Sequence, residues 1–178
     1  MLRNRRATSR ATVGEEQFQA LVRDHAAAVY RVAYSVVRDE HLAEDIVQET
    51  IVKAWQGLDT WRGEGSMQGW VLSIAHNTAV SFLRRLRDTS TEPSLLPERV
   101  GTVDVERESD ARADLDRLRV AMGELDDLSR SIVVMRDLDG LSYNEIADAL
   151  QIPLTTVKTR LLRARRELQR VVRGGVPT

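Results

Sequence analysis

Apolar residues recur along most of this chain at the three-and-four spacing of amphipathic helices. From Glu15 to about Arg38 they fall at Phe18, Leu21, Val22, Val29, Val32, Ala33 and Val36. A second helix is predicted from about His41 to Gln56 on Leu42, Ile46, Val52 and Trp55, with Gly57 and Asp59 as its stop. The glycines of Trp61-Arg62-Gly63-Glu64-Gly65-Ser66 mark a loop. A third helix follows over about Met67–Arg87 and turns basic at Arg84, Arg85 and Arg87. Further helices are predicted at about Ala111–Glu124, Asp127–Asp137, Ser142–Leu150 and Thr155–Arg173. No stretch alternates as a strand does, so the fold class is all-α.

Between these groups, Asp88 to about Asp110 holds Pro93, Pro97 and Gly101 without periodicity and carries seven acids against two arginines. It is predicted to be a flexible linker between two small domains. The boundaries are a basic flexible tail over 1–13, a first domain over 14–88, the linker over 89–112 and a second domain over 113–174.

Composition narrows the function. Hydrophobic residues make up 42% and charged residues 30%, as in globular proteins. With no cysteine and His25, His41 and His76 scattered, no disulfide, metal or cofactor site is expected. The polar, arginine-rich first residues are unlike a secretory signal, and no run of about 20 mostly apolar residues is present to span a membrane. A soluble, cytoplasmic protein is expected. The net charge of −1 conceals a separation: Gln151–Thr178 carries seven basic residues against Glu167 alone, a local +6.

That basic segment belongs to a helix pair. Ser142-Tyr143-Asn144-Glu145 fits a capping box. Pro153 in Gln151-Ile152-Pro153-Leu154 turns the chain, and Thr155 is a candidate cap for the next helix. At about 100° per residue, Val157, Leu161, Ala164, Leu168 and Val171 share one stripe, while Thr159, Leu162, Arg163, Arg166, Arg170 and Arg173 collect opposite. One face can bury while the other presents guanidinium and hydroxyl groups to bases and phosphates, the plan of a helix-turn-helix. A solvated basic helix is the plainer alternative. For Arg160 and Arg165, beside the stripe, packing and phosphate contact both stay open.

Two blocks of sequence resemble a known family, the extracytoplasmic-function sigma factors of bacterial RNA polymerase. Arg136-Asp137-Leu138-Asp139-Gly140-Leu141-Ser142-Tyr143-Asn144-Glu145-Ile146-Ala147, then Pro153 to Leu161 and Arg163-Ala164-Arg165, is similar to their region 4. Ala43-Glu44-Asp45-Ile46-Val47-Gln48-Glu49-Thr50 with Ala54-Trp55 resembles region 2.2. Trp61 to Gly65 through Trp70, with Ile74-Ala75-His76-Asn77 and Arg84-Arg85, resembles regions 2.3 and 2.4. The resemblance spans about Phe18–Leu168 apart from the linker.

The resemblance implies a region 2 helical bundle and a region 4 helix-turn-helix, docking on core polymerase (its β′ clamp helices and β flap), promoter recognition, no catalysis by this chain, and a cognate anti-sigma factor. Core contact would fall on Asp45, Gln48 and Glu49; spacing alone equally allows a plain Glu49–Lys53 pair at i, i+4. Capture of an unstacked −10 base would fall on the loop 62–67 (Arg62, Ser66, Met67), Trp70 and Asn77, with Arg84, Arg85 and Arg87 along phosphates. Trp70 also suits a core position, whereas Asn77 stands among apolar neighbours as an amide in need of a partner. The family's usual −10 readers carry a basic residue where His76 stands. The −35 duplex would be read by Thr156, Lys158, Thr159, Leu162, Arg163 and Arg166, with Arg136 on the backbone and Leu162 against a thymine methyl. A repressor or activator working without polymerase is the alternative.

Overall fold

The structure, a computed structural model, describes residues 3–61, 63, 65–89 and 110–173, with side chains over 16–59, 61, 63, 65–88 and 115–171. Among the described residues, seven α-helices form two modules. The front module holds α1 (Arg3–Val37), α2 (Glu40–Gly57) and α3 (Met67–Thr89); the rear holds α4 (Asp110–Glu124), α5 (Asp127–Val133), α6 (Tyr143–Leu150) and α7 (Leu154–Arg173). Helix α1 begins at Arg3, inside the stretch expected to be a flexible tail. Alanines and arginines are good helix formers, and no proline interrupts them. The expected linker lies mostly outside the described residues.

Local chemistry explains the helix ends. Asp39 caps α2 by accepting from Leu42 N at 2.8 Å. Asp126 caps α5 through Ser129 N at 3.0 Å. The capping box at α6 is complete: Ser142 accepts from Glu145 N, and the Glu145 carboxylate accepts from Ser142 N. Gln151, with φ of 54°, ends α6 in the left-handed conformation. Helix α7 starts one residue earlier than expected, because the Pro153 carbonyl accepts from Thr156 N and Val157 N; Thr155 therefore lies inside the first turn rather than capping it. Between α5 and α6 the chain widens into a π-helical turn, Val134–Leu138. Gly140, with φ of +76°, reverses it, a conformation strained for any residue with a Cβ.

The front module keeps a small core of its own, in which Ala33, Val36 and Val37 meet Ala43, Ile46 and Ala79. On α2 the buried stripe is Ala43, Ile46, Thr50, Ile51 and Ala54, whereas Val52, read as apolar support, is exposed. The larger core belongs to both modules. Val29, Val32, Val71, Leu72 and Ala75 pack in one cluster with Ile132, Met135, Leu141, Ile146, Val157 and Leu161. Helix α3 lies along α6, and α1 against α5. The expected two domains are thus joined in this structure by a continuous apolar seam.

Candidate nucleic-acid interface

Helix α7 sorts its side chains as its periodicity predicts. Val157, Leu161 and Ala164 are buried, while Lys158, Thr159, Leu162, Arg163 and Arg166 are exposed. Thr156 is half-buried. The Thr159 hydroxyl donates to Thr155 O at 2.8 Å. Carboxylates, two of them on other elements and one on α7 itself, divide the cations. Arg160 Nη1 donates to both oxygens of Asp126, at 2.9 and 3.0 Å, and to the Ser129 hydroxyl. Arg165 grips Asp137 of the π-helical turn, and Arg170 pairs with Glu167. Among the described residues, Lys158, Arg163 and Arg166 form no ion pair. The packing alternative for Arg160 and Arg165 is thereby favoured: they brace α7, leaving the outward cations for a ligand. The Asp137 carboxylate raises the Arg165 pKa. Burial opposes ionisation of Asp126, but the Ser129 bonds and Arg160 hold its pKa below the ordinary value.

Arg136 has an internal role in this structure. It is half-buried, its Nη1 donates to Leu141 O at 2.7 Å, and its guanidinium lies 4.9 Å from the Tyr143 ring centre. It clamps the wide turn that aims α6.

In the front module, Asp45 and Gln48 are exposed on α2, and Glu49 is half-buried beside them. Glu49 does pair with Lys53, at 2.6 Å, and lies 3.8 Å from Arg85 of α3. The face is acidic and open, with one carboxylate already partly neutralised. A groove lined by Ala26, Ala27, Tyr30, Val47 and Gln48 adjoins it.

Along α3, Trp70, Asn77 and Arg84 recur seven apart and so share one line. Trp70 is partly buried against the shared core, and Asn77 and Arg84 are exposed. Asn77 therefore does not sit among apolar neighbours as its sequence context suggests. Its neighbour His76 takes that place, 9% exposed, with Nδ1 unpartnered. Burial lowers the His76 pKa despite the nearby Asp127, which favours the neutral imidazole. Arg85 turns toward Glu49 and over the Phe82 ring, and Arg87 is exposed. At the start of α3, Ser66 Oγ accepts from Gly69 N at 3.1 Å, and Met67 packs against the shared core. Arg62 lies outside the described residues. Trp61 was not among the expected site residues. Its ring lies 6.3 Å from that of Trp70, and its Nε1–H is buried without an acceptor. The signal was in view: an aromatic directly before a glycine loop. No group of carboxylates and histidines among the described residues could hold a metal, and no described helix is long and apolar enough to cross a membrane.

Helix α7 thus presents an outward basic face, and α2 of the front module presents a separate acidic one. The chain matches the family described as Sigma-70 region 2 over residues 21–89, and that described as Sigma-70, region 4, over residues 115–168. It is 36% identical to the ECF RNA polymerase sigma factor SigE of Mycolicibacterium smegmatis, over 84% of this chain and 59% of that one, so it spans less than two thirds of that relative. It is 32% identical to the RNA polymerase sigma factor YlaC of Bacillus subtilis, over 83% and 92% of the two chains. Among solved structures, the fold matches the sigma factor RpoE in complex with the anti-sigma factor NepR from Bartonella quintana, at a TM-score of 0.71, 23% identity and coverage of 90% and 99%. CnrH in complex with the cytosolic domain of CnrY matches at 0.64, with 26% identity and 91% of each chain. The chain belongs to the ECF RNA polymerase sigma factors.

Proposed function

We propose that this chain docks on core RNA polymerase through the α2 face of Asp45, Gln48 and Glu49, and starts transcription at promoters that its two modules read separately. The rear module reads the −35 duplex with Thr156, Lys158, Thr159, Leu162, Arg163 and Arg166. The front module captures the −10 non-template strand with the loop 62–67, Trp70 and Asn77, and Arg84 and Arg85 follow the backbone. The observation that carries this reading is the split on α7: carboxylates hold Arg160, Arg165 and Arg170, while Lys158, Arg163 and Arg166 point outward. Leu162, 52% exposed in the middle of that face, has the chemistry for a thymine methyl.

No nucleotide chemistry is assigned to this chain; bond formation belongs to the polymerase, and the site of action is the cytoplasm. The solved structures of RpoE in complex with the anti-sigma factor NepR and of CnrH in complex with the cytosolic domain of CnrY support a protein partner of that kind here too. A gel shift on a −10/−35 promoter, with and without core polymerase, tests the reading. Specific binding that requires core enzyme supports it. Tight specific binding by the chain alone supports a repressor or activator instead.

A further inference from the structure

Among the described residues, each helix given a DNA-reading role exposes one large aliphatic side chain: Leu162 on α7, at 52%, and Val80 on α3, at 45%. At about 100° per residue, Val80 lies about 60° round α3 from Asn77, about 40° from Arg84 and about 20° from Arg87. All three of those residues are exposed. Ser73, one turn before Asn77, is half-buried, and its hydroxyl donates to Trp70 O at 2.6 Å. The other side of the helix, with Val71, Leu72, Ala75 and Ala79, is fully buried. Val80 thus stands in the middle of an outward arc of one amide and two guanidinium groups. Neither folding nor packing calls for an aliphatic residue there. Valine is a weaker helix former than alanine, arginine or glutamine at an exposed position, and Val80 belongs to neither apolar cluster.

We propose that Val80 is a specificity residue of the −10 site, where it packs against the C5-methyl group of a non-template thymine between the Asn77 amide and the Arg84 guanidinium. The inference rests on the −10 role given above to α3 and narrows it to one base type. Val80 has no donor or acceptor on its side chain, so it can neither follow a phosphate nor read a base edge by hydrogen bonding. The apolar group that a base edge offers it is the thymine methyl. That methyl stands on the major-groove edge, away from the pairing edge, and so stays readable while the strands part. Cytosine at the same place, without the methyl, leaves Val80 against water. Burying one such group is worth about fourfold in affinity. Asn77 and Arg84 then fix where the base lies, and Val80 favours thymine there.

The test removes the methyl and nothing else. Fragments of a promoter that the wild-type holoenzyme transcribes are made with deoxyuridine in place of each non-template −10 thymine in turn, and holoenzyme binding is read by competition gel shift. One replacement should weaken the wild type about fourfold and leave Val80→Ala holoenzyme unaffected, a comparison that cancels any change in the DNA itself. Leu162→Ala, on the other module, should keep the fourfold loss. Alanine at an exposed helical position should not impair folding, and circular dichroism checks this. A −10 element without thymine, no deoxyuridine position that weakens the wild type, or an equal loss in wild type and Val80→Ala overturns the assignment. So does a Val80→Ala chain that captures core polymerase poorly yet keeps the methyl effect, which would place Val80 in a protein interface. If scrambling the whole −10 element leaves wild-type binding unchanged, the −10 reading of α3 falls and Val80 with it. If scrambling weakens binding but deoxyuridine does not, that reading stands and the role of Val80 alone is removed.

Discussion

Arg130 is the single side chain on which the seam leans most, and its removal has a calculable cost. It is 7% exposed and donates through Nε to Met122 O at 2.8 Å, through Nη2 to Leu125 O and through Nη1 to Ser35 O, with Asp127 at 3.2 Å. Met122 lies in the last turn of α4, Leu125 directly follows that helix, and Ser35 lies in the last turn of α1, so one guanidinium caps the C-termini of two helices from different modules. Arg38, left-handed at φ of 57°, adds a bond from Nη1 to Gly123 O at 3.2 Å. Burial lowers the Arg130 pKa, and Arg38 lowers it further against Asp127. Arg130→Ala strands three carbonyls, at about 1.5–3 kcal/mol for each charge-assisted bond. Releasing the buried charge returns part of that sum, which leaves a net cost of about 3–5 kcal/mol. For a chain of this length the melting temperature should fall by roughly 6–20 °C. Arg130→Lys should recover less than half, since one ammonium cannot span diverging carbonyls. Thermal melts followed by circular dichroism at 222 nm give the answer. A loss under about 2 °C for Arg130→Ala would show that water replaces the guanidinium and that the seam does not depend on it.

Other consequences can be checked on the same protein. Arg163→Ala should weaken holoenzyme binding to its −35 element by about 1–3 kcal/mol while sparing scrambled DNA; equal loss on both sequences in a competition gel shift would reduce Arg163 to a phosphate contact. Glu49→Lys should lower affinity for core polymerase in a pull-down and leave the melting temperature within a degree or two; unchanged capture of core would remove Glu49 from the docking face. Burial holds the pKa values of His76 and His25 below 6.5. The unfolded chain therefore takes up their protons first, so this contribution is present above about pH 6.5 and lost as the pH falls below it. The melting temperature should drop between pH 7 and 5, and His76→Leu should flatten that slope; an unchanged slope would mean His76 is solvated.

Much of this arrangement was legible in the sequence. The stripe of Val157, Leu161 and Ala164 and the Ser142–Glu145 box depend on local spacing, and both stand in the structure as expected. Periodicity says which residues share a face but not what that face meets. His76 and Asn77 are adjacent and equally plausible as interior residues; the first is buried and the second is in solvent. The fate of Arg160 and Arg165 was open because their carboxylates, Asp126 and Asp137, lie 34 and 28 residues away. The resemblance places Arg136 on the DNA backbone; its bond to Leu141 O was not legible, because the π-helical turn that engages it has no sequence signature. The seam was the least legible feature. Arg31 and Asp139, which pair across it, are 108 residues apart, and each looks like an ordinary exposed charge until the modules close.

Run-off transcription with purified core polymerase on a library of genomic promoter fragments tests the proposed activity most directly. Transcripts should start only when this chain is added, from promoters sharing paired upstream and start-proximal elements, and Arg163→Ala should shift the preferred upstream one. A complete absence of chain-dependent transcripts, from core enzyme shown to work with another initiation factor, would contradict the account.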